Sequence, residues 1–142
     1  PLDLDQVALG HRRGVDDGAT PAFVAAEVGH VEVVRVLLGA SAMVDRPMND
    51  GATPLIAAVA NRHLEVVREL LGASAVVDRV NHLGVTPLVV AVQNGDLEVV
   101  RALLAAGADR SYCVARGGQQ WTALELAEAT GHTAVAELLR GN

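Results

Sequence analysis

The stretch from Asp50 to Asp78, DGATPLIAAVANRHLEVVRELLGASAVVD, carries its own punctuation. Thr53 offers a side-chain oxygen to the first unbonded N–H groups of a helix, and Pro54 suits the first helical turn, where its missing N–H would have no partner. The apolar run Leu55 to Val59 is therefore expected to form a short helix. A tight turn at Arg62 and His63 follows, and then a second helix. Its apolar positions Leu64, Val67, Leu70 and Leu71 fall at i, i+3, i+6 and i+7, one buried stripe.

Working outward from this unit, Thr20-Pro21, Thr53-Pro54 and Thr86-Pro87 are spaced by 33 residues. Thr122 comes 36 residues after Thr86, which places an insertion of about three residues in the loop Arg110 to Gln120. Position by position, 17–49 and 50–82 share 20 identities in 33, so these are true internal repeats. Gly29, Gly95 and Gly131 mark the turn between the two helices of the other copies. The second helix recurs as Val31 to Leu38 and Leu97 to Leu104, with Glu32 and Arg35 placed to pair on its wet face. Neither helix is long enough to stand alone, so each pair needs a neighbour to cover its apolar flank.

The expected fold is an all-α solenoid of helix-turn-helix repeats in one domain, 1–142. Repeats are assigned to about 17–49, 50–82, 83–118 and 119–142. The segment 1–16 reads as a degenerate N-terminal cap, with Leu2, Leu4, Val7 and Leu9 on one apolar face. Thr133, Glu137 and Arg140 give the last helix a more polar outside.

Composition sets the limits on function. Hydrophobic residues make up 51% of the 142, yet only 2% are aromatic, so the core is built from closely packed Ala, Val and Leu. The net charge is −6, and all 11 basic residues are scattered arginines, which argues against nucleic acid as the partner. Cys113 is the single cysteine; no internal disulfide or multi-cysteine zinc site can form, and a reducing, cytoplasmic setting is expected. No apolar run approaches 18 residues, so the expectation is a soluble chain with no membrane contact. A start at Pro1 without Met reads as a processed product or a piece of something longer.

The unit from Asp50 to Asp78 resembles the ankyrin repeat, and the resemblance extends over about Asp16 to Gly141. It implies a curved stack with hairpin-like fingers, and binding of proteins through the finger tips and the concave face of the first helices. Some residues depart from the family pattern. The His of Thr-Pro-Leu-His is absent, its place taken by Phe23, Ile56, Val89 and Glu125, and apolar packing is expected to substitute. Ser41 and Ser74 stand where Gly107 keeps the glycine after the second helix, at roughly 1 kcal/mol each for a left-handed residue that is not Gly. Arg62 at the inter-helix turn raises the same cost.

No catalytic residue, cofactor or metal site is expected. His30 and His63 share one repeat position and, like His132, read as turn or cap histidines bonding backbone. No His-Glu-x-x-His, phosphate-cradling loop or nucleophile elbow occurs, and Gly117-Gly118 is too short for a phosphate loop. Cys113 reads as a plain loop cysteine despite Arg110 and Arg116 nearby. The pairs Asp16/Asp17 and Asn49/Asp50 offer too few oxygens for calcium.

Residues that differ between copies are the candidate contacts, because packing does not dictate them. Projected on the ankyrin-like pattern, the fingers carry Asp16, Asp17 and Ala19, then Asn49, Asp50 and Ala52, then His82, Leu83 and Val85, then Trp121. The ends of the first helices add Glu27, Val28, Ala60, Asn61, Gln93, Asn94, Ala129 and Thr130. Trp121, with Tyr112 and Arg116 in the lengthened loop, is read either as an interface anchor or as a lid on the core. The acidic fingers Asp16, Asp17 and Asp50 suit a partner with a basic patch. The function expected is that of a monomeric protein-interaction module; the alternative is a structural or self-associating segment of a larger protein.

Overall fold

Four threonines each close the start of a helix. In the computed structural model, which describes residues 18–40 and 44–141, the hydroxyls of Thr20, Thr53, Thr86 and Thr122 accept the N–H of Phe23, Ile56, Val89 and Glu125 at 3.1–3.2 Å. At Thr122 the bond is returned, since Glu125 accepts the Thr122 N–H at 2.9 Å and completes a capping box. The first helices are α1 (Pro21–Val28), α3 (Pro54–Ala60), α5 (Pro87–Asn94) and α7 (Ala123–Ala129). Each is followed after a tight turn by its partner, α2 (Val31–Gly39), α4 (Leu64–Gly72), α6 (Leu97–Ala105) and α8 (Thr133–Gly141). The predicted cap over 1–16 and Ser41 lie outside the described residues.

First helices pack on first helices along one row, second helices on second helices along the other, and each pair packs internally. One continuous core runs the length of the stack, from Ala25 and Val34 through Leu55, Leu70, Leu88 and Leu103 to Leu126 and Leu139. Alanines 25, 26, 58, 91 and 127 are fully buried, and their small side chains let neighbouring first helices approach closely. Phe23, Ile56 and Val89 are buried as the apolar substitutes for a polar side chain at that position, while Glu125 serves the cap instead. At the far end, Thr133, Glu137 and Arg140 are exposed, and Arg140 joins α8 to Glu128 of α7 at 2.6 Å.

The turns explain the exceptions in the pattern. His63 Nε2 lies 3.1 Å from the Glu27 carbonyl and His132 Nε2 lies 3.2 Å from the Gln93 carbonyl. A carbonyl can only accept, so Nε2 carries the proton and each ring ties its repeat to the one before. A Cβ built on Gly29 would come within 2.6 Å of the His63 ring, and one on Gly95 within 2.5 Å of the His132 ring. Between the second and third repeats the histidine is replaced by Asp96, which instead caps its own helix through the Val99 N–H at 3.4 Å. There Asn94 takes over the tie, donating to the Val59 carbonyl at 3.1 Å, and the turn residue is Arg62 at φ 63°. Where no ring presses on the turn, a side chain fits it.

Arg62 and Ser74 (φ 67°) are the positive-φ residues other than glycine among those described. Arg62→Gly and Ser74→Gly are each expected to raise unfolding free energy by about 1 kcal/mol, seen as an upward shift of the urea midpoint at constant slope. A midpoint that stays put in both variants would show that neither backbone is strained.

The lengthened loop is a hairpin, as the resemblance to hairpin-like fingers implied. Strands β1 (Val114–Arg116) and β2 (Gln119–Trp121) pair antiparallel, with Val114 opposite Trp121 and Arg116 opposite Gln119. Gly117 and Gly118, both at positive φ (56° and 81°), form the two-residue turn, a conformation that suits the strand twist and strongly favours glycine.

Candidate protein-binding surface

Three fingers project from the described stack, and each is held by its own short bonds. In the first, the Met48 N–H donates to the Ala52 carbonyl at 2.8 Å, and Asp50 Oδ1 accepts the Ala52 N–H at 2.9 Å. In the second, Asn81 Oδ1 accepts the N–H of Leu83 at 2.9 Å and of Val85 at 3.1 Å, which fixes the backbone on both sides of the tip. The third is the β1–β2 hairpin. Neighbouring fingers are joined edge to edge: the His82 N–H donates to the Asp50 carbonyl at 2.9 Å, and the Tyr112 hydroxyl donates to the Gly84 carbonyl at 2.7 Å.

The loops behind the fingers are linked in the same manner. Asp45 accepts the Val76 N–H at 3.0 Å, and Asp78, one repeat on, accepts the Asp109 N–H at 3.0 Å. Asp109 in turn accepts from the Ser111 hydroxyl and N–H, which hold its carboxyl below the ordinary range. Along the second helices Arg35 bonds Glu69 of the next repeat at 3.0 Å and Glu32 of its own at 2.6 Å, and these two carboxylates raise its pKa.

The candidate contact residues divide into two groups. Asn49, Asp50, Asn61, His82, Leu83 and Arg116 are exposed, and Leu83 at the second fingertip reaches 82%. Glu27, Gln93, Asn94, Tyr112 and Trp121 are half-buried. In this second group the Asn94 amide and Tyr112 hydroxyl make the ties named above, and the Glu27 and Gln93 carbonyls receive the histidines. Trp121 packs against the main core and stands opposite Val114 in the hairpin, while staying half exposed. Asp16 and Asp17 lie outside the described residues. Of the finger acids, Asp50 is the one described.

The structure brings Arg116 and Gln93 together, a pair that lies 23 positions apart in sequence and was expected only as separate contacts. With the Gln93 amide oxygen turned toward it, Arg116 donates twice, at 2.6 and 3.0 Å, so the hairpin leans onto the end of α5. Gln119 and Gln120, exposed on β2, were not among the expected contacts. The signal for them was Gly117-Gly118 between two short runs, a hairpin signature.

Among the described residues no three His, Cys, Asp or Glu side chains gather as a metal site, and no helix is long and apolar enough to cross a membrane. The family model for ankyrin repeats (3 copies) matches residues 4–81 and 74–142, nearly the whole chain. The chain belongs to the ankyrin-repeat family. Comparison with curated proteins gave no match. Ankyrin repeats are generally protein–protein interaction modules and typically non-catalytic. In this ankyrin stack Asn49, Asp50, His82 and Leu83 are exposed, varying residues carried on the fingers, while the recurring apolar residues form the core.

Proposed function

We propose that the chain holds a partner protein through its fingertips and the concave face of the first helices, with Leu83 as the apolar anchor. The observation that carries this reading is Leu83 itself, 82% exposed on a backbone clamped from both sides by Asn81. An apolar side chain displayed on a rigid tip loses little entropy on binding, and that favours affinity. His82 beside it and Asp50 on the next finger supply polar neighbours, and Asp50 suits a basic group on the partner. A surface of this kind covers on the order of 800 Å² on its own side. No step of chemistry is asked of it.

The test is affinity capture from a lysate with the wild-type chain, Leu83→Asp and Val36→Asp. Val36 is 71% exposed but lies on the outer row of second helices. A protein retained by the wild type and by Val36→Asp, and depleted about tenfold or more by Leu83→Asp, supports the finger surface. Depletion by Val36→Asp alone would move the interface to the outer row. The alternative role, a self-associating segment, predicts a concentration-dependent dimer in sedimentation equilibrium, whereas the finger reading predicts a monomer.

A further inference from the structure

Away from the fingertips, Val44, Asp45, Arg46, Pro47 and Arg79 line an open cleft of about 400 Å³ on the loop edge of the stack. Arg46 and Arg79 occupy the same repeat position, 33 residues apart, and both are exposed. Among the described residues neither makes a side-chain hydrogen bond or ion pair; Arg62 and Arg101 make none either, but they line no shared cleft, whereas Arg35, Arg68, Arg110 and Arg140 are all bonded. The next copy has Tyr112 at this position and uses its hydroxyl to brace the Gly84 carbonyl, a bond within the fold. The two arginines brace nothing among the described residues.

Asp45 lines the cleft and Asp78 precedes Arg79, but the Asp45 oxygens face the Val76 N–H, at 3.0 and 3.2 Å, and Asp78 accepts the Asp109 N–H at 3.0 Å, so among the described residues neither carboxylate forms an ion pair with the two arginines. Val44 and Pro47 form a half-buried apolar wall. Val76 and Val80, adjoining Asp45 and Arg79, are 50% and 41% exposed. We propose that this cleft binds a short acidic segment of a protein in extended form, two carboxylates two residues apart pairing with Arg46 and Arg79 while the backbone between them lies over Val44 and Pro47.

The chemistry favours this occupant. A guanidinium takes a carboxylate through two parallel N–H···O bonds, a geometry a point charge cannot impose. The two arginines stand one repeat apart, roughly the 8–10 Å between packed helices, which an extended chain spans in two to three residues at about 3.3 Å each. Nucleic acid fits less well, since the cleft has no aromatic ring for a base to stack on and the chain carries a net −6.

The experiment is a fluorescence-anisotropy titration of the full chain with a labelled peptide, Gly-Ser-Glu-Val-Glu-Val-Ser-Gly, beside the analogue with both Glu replaced by Gln and one with phosphoserine in their place. Both arginines are exposed and, among the described residues, unpaired, so Arg46→Gln and Arg79→Gln keep the fold, as unchanged thermal melts will verify. Binding is expected to weaken about fivefold in each variant and more than about twentyfold in the double variant and with the Gln analogue. Leu83→Asp, which disables the proposed finger surface, binds this peptide like the wild type. Four results would each overturn the assignment: no saturation up to about 2 mM peptide, equal affinity for the Gln analogue, phosphoserine tighter by more than about tenfold, or a loss in Leu83→Asp matching that of the arginine variants.

Discussion

Gly95→Ala is expected to lower the unfolding free energy by about 3 kcal/mol, although it adds one methyl group at a half-exposed turn. Three effects add. A left-handed residue that is not glycine costs roughly 1 kcal/mol. The new Cβ would lie 2.5 Å from the His132 ring, so the ring must leave. Its bond to the Gln93 carbonyl is then lost at about 1 kcal/mol, with a similar amount for its packing. For a chain of this size the melting temperature should fall by roughly 6–12 °C. The double variant Gly95→Ala/His132→Ala separates the causes: if the ring is the obstacle, it loses clearly less than the two single changes summed. Strict additivity would leave backbone conformation as the sole cause. A loss at Gly95 about 2 kcal/mol larger than the gain from Arg62→Gly would confirm that the residue facing the turn from the next repeat, His132 or Asp96, decides which turn tolerates a side chain.

Leu70→Ala should cost about 3–4 kcal/mol, near the middle of the range for buried leucines. Leu70 is 1% exposed in α4, and the helices of the repeats before and after it pack around that helix, so the cavity cannot easily collapse. Because each repeat contacts only its neighbours, loss at this position uncouples the two ends rather than weakening one. Leu139→Ala, 7% exposed on the last helix, should cost less, since the outer face of α8 is free to close over the gap. Urea melts give the totals, and amide exchange shows where protection disappears. Equal losses at the two leucines, with protection lowered evenly along the chain, would contradict a stack coupled through nearest neighbours.

The arrangement of Thr-Pro steps and apolar stripes was legible in the sequence because each is a local instruction: a cap needs its hydroxyl three residues from the N–H it receives, and a stripe needs its period. The left-handed turn at Ser74 could be read from its alignment with Gly107. The bounds of the hairpin strands were not legible, because three-residue strands leave almost no periodic signal; the hairpin-like finger itself was implied by the resemblance, and Gly117-Gly118 marks its turn. Trp121 could not be placed, since an aromatic residue in a loop has the same composition whether it faces a partner or the core.

Pairings across repeats were the part that needed coordinates. The sequence marked His63 and His132 as turn histidines bonding backbone, but not that their partners are Glu27 and Gln93 of the repeat before, nor that Asn94 meets Val59 and Arg116 meets Gln93. By itself the sequence determined the helices, their order and the thirty-three-residue stacking, because these follow from short-range caps and from apolar flanks too small to survive alone. Only the tertiary structure decided which side chains are engaged between repeats and which, like Leu83, Arg46 and Arg79, are left facing outward. That choice depends on distances set by stacking, which no spacing along the chain encodes.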